Sequence, residues 1–337
     1  MKIRDGIVKK SWCLAIIFLF VGASVVPHVG SEKIELERSN LLSSNQQDKV
    51  HVNDDYNNTH PDWNVTHFDN IQDGIDHVNA GGTVSVHNGT YYENVVIDKK
   101  LTLMGVDEDE WGNDNFSIID GNGIGNVVFI NADEVTITGF TITNSGPGNS
   151  AGIYCAGKSG ITIEKNVIKK NSRGIILYEC HGPFYVNENN VLDNEYGIWL
   201  NGGYVITIGT YNHIKNNRLY GIVLEDTYKN DIVSNEVRDN GRGIGLFRSF
   251  NNDVNNNNFR SNGESGKDHI WQENCLTAWN NNHYNPRYSY NLGNILPIYV
   301  ILVWFHFKFI PYLSIPIFIQ VDWLAQRDPH NIPEPDP

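Results

Sequence analysis

The sequence predicts an all-β solenoid in which each repeat forms one turn of short, stacked strands. One phrase returns five times: an Asn, any residue, an apolar residue and, three residues later, a second Asn. The first Asn of each unit is Asn166, Asn189, Asn212, Asn235 and Asn257, spaced 23, 23, 23 and 22 residues apart. The second is Asn171, Asn194, Asn217, Asn240 and Asn262, with the same spacing. A period this regular indicates a repeat architecture.

A Gly-Ile pair follows in four of the five units and opens a strand-like run. Alternation in steps of two predicts two inward columns in these runs. They are Ile175, Ile198, Ile222 and Ile244, and Leu177, Leu200, Leu224 and Leu246. We predict that the Asn residues occupy tight bends in left-handed dihedrals, with amides bonded to the coils above and below. We therefore interpret the Asn columns as scaffold.

Residues 1–31 have the pattern of an export signal: a basic start, an apolar core and small residues after it. The core of about fifteen residues is short for a membrane span, which needs roughly 20, so a cleaved signal is favoured and an uncleaved anchor is the alternative. In both cases the rest of the chain is exported. The polar residues 32–66 are interpreted as a linker.

A short helix is predicted at 68–79, with Asp69 as its N-cap, Ile75 on its buried face and Gly81-Gly82 as its stop. Six β-rich runs bounded by turn residues follow, at 83–86, 94–97, 101–104, 117–119, 127–130 and 135–138.

Composition excludes some classes of protein. The net charge of -14 argues against nonspecific nucleic-acid binding, which requires a basic surface. Aromatic residues at 11% and charged residues at 19% argue against global disorder. Cys155 and Cys180 lie about one repeat apart, so both free thiols and a disulfide between adjacent coils stay open.

Several segments resemble a known superfamily. Residues 68–75, 82–86, 88–95 and 101–105 are similar to the start of secreted right-handed parallel β-helix proteins. The Asn-rich units resemble the NosD-like group, named for a periplasmic factor in copper-enzyme maturation, and similar units occur in archaeal surface proteins. The resemblance implies a right-handed parallel β-helix of about nine coils over 67–285, with a short capping helix. It implies no activity, because this fold hosts lyases, hydrolases, epimerases and non-enzymes.

Basic and aromatic columns predict a glycan-binding wall. One residue past the apolar member of each unit lies a column with Lys169, Lys215, Arg238 and Arg260. Before the Gly-Ile runs lies a second column with Arg173, Tyr196, Tyr220 and Arg242, and outward aromatics include Tyr178 and Trp199. Sugar faces pack on aromatic rings, and Arg binds acidic groups. The alternative is a solvated solenoid wall.

Asp231 and Asp253 are predicted to stack one coil apart, with Glu225 on an adjacent strand. Stacked carboxylates repel unless a proton or a cation lies between them. They are candidates for a glycosidase pair or a Ca²⁺ site, with exposed turn residues as the alternative. Otherwise we expect no cofactor. No acidic motif of the superfamily's enzymes matches here, so a noncatalytic protein is favoured over an enzyme.

Copper handling is what the NosD-like resemblance suggests, and it requires Met, Cys or clustered His. Met occurs only at Met1 and Met104, and the twelve His are interpreted as scattered, so this hypothesis ranks third.

The apolar stretch 295–321 is interrupted by charged residues and Pro, so we interpret 286–337 as a hydrophobic C-terminal cap and tail. Membrane association through 295–321 or the N-terminal segment is the alternative. The sequence thus predicts an exported cell-surface protein that binds a polysaccharide.

Overall fold

A computed structural model describes residues 47–106, 117–263, 270–273, 275–280, 283–285 and 290–292. The predicted export signal, the segment 295–321 and most of the predicted C-terminal cap lie outside these residues. The described chain forms three parallel sheets of eleven, nine and nine strands. From β3 onward the chain adds one strand to each sheet in turn, which is the pattern of a β-solenoid. The predicted all-β parallel solenoid is confirmed, and its right-handedness stays a prediction.

In spatial order, the first sheet contains β2 (His67–Phe68), β1 (Gln47–Val52), β3 (Val78–Val86), β6 (Thr102–Gly105), β9 (Thr136–Thr138), β12 (Ile161–Glu164), β15 (His181–Asn187), β18 (Tyr204–Ile208), β21 (Asp231–Val233), β24 (Phe250–Asn255) and β27 (Leu276–Asn280). The second contains β4 (Thr90–Tyr92), β7 (Ser117–Asp120), β10 (Phe140–Thr143), β13 (Val167–Lys169), β16 (Asn190–Leu192), β19 (His213–Lys215), β22 (Glu236–Arg238), β25 (Asn258–Arg260) and β28 (His283–Asn285). The third contains β5 (Val95–Ile97), β8 (Val128–Ile130), β11 (Ala151–Ala156), β14 (Arg173–Tyr178), β17 (Tyr196–Asn201), β20 (Tyr220–Glu225), β23 (Ile244–Phe247), β26 (Ile270–Glu273) and β29 (Tyr290–Leu292).

The core is one continuous column of apolar side chains inside the three sheets. Both predicted inward columns are in register across β14, β17, β20 and β23, and all eight side chains are fully buried. Because each coil covers the apolar side chains of the next, the core grows by one layer per repeat.

Two ladders of buried Asn run along the bends. In each ladder, Nδ2 of one Asn donates to Oδ1 of the Asn one coil later, at 2.8 to 3.2 Å. The predicted bonding between coils is therefore confirmed. The predicted dihedrals are wrong, because the residue before each ladder Asn takes the left-handed conformation. These residues, with φ between 49° and 63°, are Lys165, Lys170, Glu188, Asp193, Tyr211, Asn216, Ser234, Asp239, Asn256 and Ser261.

The N-terminal end differs from the prediction in three details. Helix α1 spans Ile71–His77, and its N-cap is Asn70, whose Oδ1 accepts from Asp73 N at 2.8 Å, so Asp69 is not the cap. The helix ends before Gly81, which lies within β3. The segment predicted as a linker contains β1, which pairs with β3, so its described part from Gln47 to Val52 belongs to the first sheet. None of the described helical residues forms a segment long and apolar enough to cross a bilayer.

The three described cysteines, Cys155, Cys180 and Cys275, are buried free thiols. Cys180 Sγ donates to the Cys155 carbonyl at 3.4 Å. The expected proximity on adjacent coils is therefore present without a disulfide.

Candidate functional site

The basic column lies on the outer face of the second sheet, in the predicted register from Lys169 to Arg260. At the C-terminal end of this column, the two arginines are bound to a buried carboxylate. Glu236, which is 2% exposed, accepts from His213 Nδ1 at 2.8 Å and forms ion pairs with Arg238 and Arg260. Because this carboxylate offsets the charge of the two guanidinium groups, the column offers less positive potential than its sequence suggests.

The second predicted column lies on the third sheet, where its Arg side chains stack on aromatic rings. The Tyr196 and Tyr220 rings are parallel, with centroids 6.1 Å apart. The Arg173 guanidinium carbon lies 5.2 Å from the Tyr196 centroid and 4.5 Å from that of Trp199. We call Arg173, Tyr196, Trp199, Tyr220, Arg242 and Trp271 the arginine platform.

Arg242 forms the other half of this platform. Its guanidinium carbon lies 5.2 Å from the Tyr220 centroid and 4.8 Å from that of Trp271, and its Nη1 donates to Tyr220 Oη at 2.8 Å. Gly245 makes room for the Tyr220 ring, since a Cβ at 245 would lie 2.7 Å from Cε1 of that ring. Burial raises the pKa of Tyr220 despite the neighbouring Arg242, so the phenol stays protonated.

The platform arginines differ from those of the second sheet in their partners. Among the described residues, neither Arg173 nor Arg242 forms an ion pair with a carboxylate. Burial lowers the pKa of Arg173 from its ordinary high value, which reflects a partly desolvated cation. Trp199 Nε1 is buried and, within the described part of the chain, has no hydrogen-bond partner. Arg173 Nη1 donates to the Gly148 carbonyl. The platform is thus a cationic, aromatic surface whose two arginines are not neutralised by a carboxylate of the described residues.

Tyr178 and Glu225 lie apart from the platform. Both belong to the column formed by the last residues of successive strands of the third sheet, which also contains Asn201 and Phe247. Glu225 accepts from Asn201 Nδ2 at 3.0 Å and from Arg248 Nη2 at 2.8 Å. The predicted glycan-binding residues are therefore divided between two sheets, and Glu225 is bound to Arg248.

Asp231 and Asp253 are in register on the first sheet, as predicted. Partial burial, followed by the charge of Asp253, raises the pKa of Asp231. The charge of Asp253 therefore acts on Asp231, as is expected in an acid–base pair and also in a pair of carboxylates at a cation site.

An exposed aromatic ladder lies beside this acid pair and was missed from the sequence. The ladder takes one residue from each of four successive coils, at or just before the first residue of a strand of the first sheet. These residues pair in register and are His181, Tyr204, Tyr228 and Phe250. The Tyr204 and Tyr228 centroids lie 5.1 Å apart at 15°, and these rings are 40% and 44% exposed. Their positions follow the repeat at intervals of 23, 24 and 22, so the period itself was a signal that would have found them.

Four histidines converge at the N-terminal end, so the interpretation of the His residues as scattered is wrong for these four. His51 Nδ1 lies 3.2 Å from His87 Nε2, and the His60 and His67 rings stack at 4.1 Å. Ligand atoms of His60, Asp62 and His67 all lie within 4.8 Å of one another. Burial is the largest cause that lowers the pKa of both His51 and His67, which favours neutral imidazoles.

Comparison with known proteins bears on the fold and the family. Residues 76–296 match the model of a protein family described as "Periplasmic copper-binding protein (NosD)". No curated protein sequence matches the chain. The periplasmic alginate epimerase AlgG is similar at 18% identity and a TM-score of 0.41, over 61% of this chain and 61% of that one. Dettilon tailspike protein gp208 is similar at 17% identity and a TM-score of 0.45, over 60% of this chain and 48% of that one.

The Azotobacter vinelandii mannuronan C-5 epimerase AlgE4 A-module is similar at 13% identity and a TM-score of 0.37, over 64% of this chain and 80% of that one. This chain spans less than two thirds of the AlgG and tailspike structures. Likeness at these identities concerns the fold alone.

Proposed function

The chain belongs to the NosD family, and on that premise we propose that it is an exported, noncatalytic β-helix protein that binds an acidic polysaccharide along the arginine platform. The family's description as periplasmic supports export. The observation that carries the ligand class is the pair of ring-stacked arginines, Arg173 and Arg242, which have no carboxylate partner among the described residues.

The chemistry of the platform fits a polyuronate. A guanidinium held flat on a ring keeps its N–H edge in a fixed orientation, which suits bidentate binding of a carboxylate. The rings beside it offer apolar faces to the C–H face of a sugar. The whole chain carries a net charge of -14 and repels a polyanion, so binding requires a local cationic surface such as this one. Lys169 and Lys215 on the neighbouring sheet are proposed as flanking contacts.

Isothermal titration with polygalacturonate and with neutral dextran tests this proposal. The double variant Arg173→Gln, Arg242→Gln is expected to bind polygalacturonate at least about tenfold more weakly, because each charged hydrogen bond contributes about 1.5–3 kcal/mol. Arg218→Gln is the matched control, since Arg218 is exposed and already paired with Glu195. Equal affinity of the double variant and the wild type would refute the platform as the site. Release of new sugar ends during incubation would refute a noncatalytic role.

A polysaccharide-active enzyme is the second candidate, and the juxtaposition of the acid pair and the exposed aromatic ladder favours it. Asp231, with its raised pKa, would be the general acid, and Asp253 the base or nucleophile. We assign no role to Glu225 because it is bound to Arg248. A screen of neutral and acidic polysaccharides tests this candidate. Product from the wild type that disappears in Asp231→Asn would support it, and product that persists in the variant would exclude this site.

Two further proposals concern metals. Ca²⁺ between Asp231 and Asp253 is the alternative to a shared proton. A role in metal delivery is the third candidate function, and its only support from the comparisons is the family's copper-binding description. Metal analysis of the purified full chain tests both.

A further inference from the structure

The segment between β1 and β2 brings metal-ligand side chains together at the edge of the first sheet. His51 in β1 pairs in register with His67 in β2, which is the edge strand. His60 and Asp62 lie on the connecting segment. The Asp62 carbonyl accepts from the backbone N–H groups of Thr66 and His67 at 3.1 and 3.2 Å. These bonds fold the segment back on itself, so that side chains distant in sequence share one small volume.

The spacing of the donor atoms is close to that of a metal site. Ligand atoms of His60, Asp62 and His67 lie within 4.8 Å of one another. Two atoms that bind one ion at about 2.1 Å lie at most about 4.2 Å apart. Three ligands cannot all lie trans to one another, so binding one ion would require each side chain to move inward by about 1 Å.

Neighbouring groups already hold these rings in place. Thr66 Oγ1 lies 2.9 Å from His67 Nδ1, which leaves Nε2 of that ring for an ion. The His51 ring stacks on His67, with centroids 5.2 Å apart and an interplanar angle of 16°. The Tyr56 ring contacts His67 at 5.0 Å. Such support around the ligands is typical of sites in which ring orientation matters.

We propose that His60, Asp62 and His67 bind a divalent late transition metal ion, with His51 and His87 as positioning residues behind them. Two imidazoles and one carboxylate suit Cu²⁺ and Zn²⁺, and the general order of stability predicts tighter binding of Cu²⁺. The three described thiols, which would favour Cu⁺, are buried in the core. Three of the four histidines precede residue 76, where the family match begins, so the site belongs to a part of the chain that the family profile does not cover.

The test uses the full chain, stripped of metal with a chelator and titrated separately with Cu²⁺ and Zn²⁺. We expect one equivalent of Cu²⁺ to bind, with nitrogen hyperfine structure in its electron paramagnetic resonance spectrum. Zn²⁺ is expected to bind at the same site more weakly. His60→Ala is expected to weaken binding at least about tenfold, and the double variant His60→Ala, His67→Ala is expected to lose saturable binding.

His77→Gln is the matched control, because His77 lies on α1 and its Nδ1 contacts the Asp73 carbonyl instead of this cluster. Far-ultraviolet circular dichroism checks that each variant keeps its β-structure. A wild type that binds no stoichiometric metal overturns the proposal, and so does a folded double variant that binds like the wild type. Neither result bears on polyuronate binding at the third sheet, so the two proposals fail independently.

Discussion

At the scale of single residues, the Asn side chains in the middle of each ladder link three coils. Asn212 is fully buried, and its Nδ2 donates to the Val186 carbonyl at 2.7 Å and to Asn235 Oδ1 at 2.8 Å. Its Oδ1 accepts from the backbone N–H of Asn189 at 3.0 Å. A side chain with both a donor and an acceptor is needed at every rung, which explains why the repeat keeps Asn at these positions.

We expect Asn212→Ala to lower the free energy of unfolding by about 2–4 kcal/mol, because it leaves buried donors and acceptors without partners. Guanidinium denaturation measures this change. Asn131→Ala, at an exposed position of an earlier coil, should change stability by less than about 0.5 kcal/mol. Equal effects of the two substitutions would contradict a structural role for the ladder.

Asp231 permits a prediction of pH dependence with a definite sign. Its folded pKa is raised above its ordinary value, by burial and then by Asp253, so its charged form destabilises the fold. This penalty is present above the folded pKa and disappears as the pH falls through it. Asp231→Asn should therefore raise Tm at about pH 7 and lose this advantage at about pH 3. Asp98→Asn, on the surface of an early coil, serves as the control. A gain that is independent of pH would contradict the electrostatic cause.

At the scale of elements, the platform depends on a missing side chain in β23. The outward column that contains Ile176, Trp199 and Val223 continues at Gly245. Tyr220 lies over this glycine and carries the Arg242 guanidinium. The position of the Arg242 guanidinium thus depends on the absence of a Cβ at Gly245, one coil before Trp271 in the same column.

We expect Gly245→Ala to weaken polygalacturonate binding about threefold to tenfold, because the displaced Tyr220 ring no longer supports Arg242 and a cation–π contact contributes about 0.5–2 kcal/mol. In a Tyr220→Ala background, the same substitution should have almost no further effect. Titration calorimetry on the four proteins measures this cycle. Additive losses would show that Gly245 acts by another route.

The sequence predicts some elements well and others poorly, for physical reasons. Inward Ile and Leu columns are predictable because alternation fixes which face a strand residue occupies. The helix cap and the left-handed positions were misplaced by one residue, because Asn suits both roles and local propensity does not decide between neighbours. Strand β1 was hidden in a polar segment, since this strand, which lies between β2 and β3 in the first sheet, carries only two fully buried residues, Val50 and Val52.

At the scale of the whole molecule, the three outer faces differ in charge and chemistry. The second sheet neutralises its arginines with Glu236, the third stacks them on rings, and the first carries the acid pair and the aromatic ladder. The repeat period predicts which residues share a column. It does not predict which columns neutralise each other or where the chain folds back, so the pairing of Glu236 and the histidine cluster required the structure.

Hydroxyl-radical footprinting of the full chain with and without oligogalacturonate tests most directly whether the third sheet is the binding face. Binding at the arginine platform is expected to reduce oxidation of Tyr196, Trp199 and Tyr220 and to leave that of Tyr204 and Tyr228 on the first sheet unchanged. Protection of Tyr204 and Tyr228 without protection of the platform rings would contradict it.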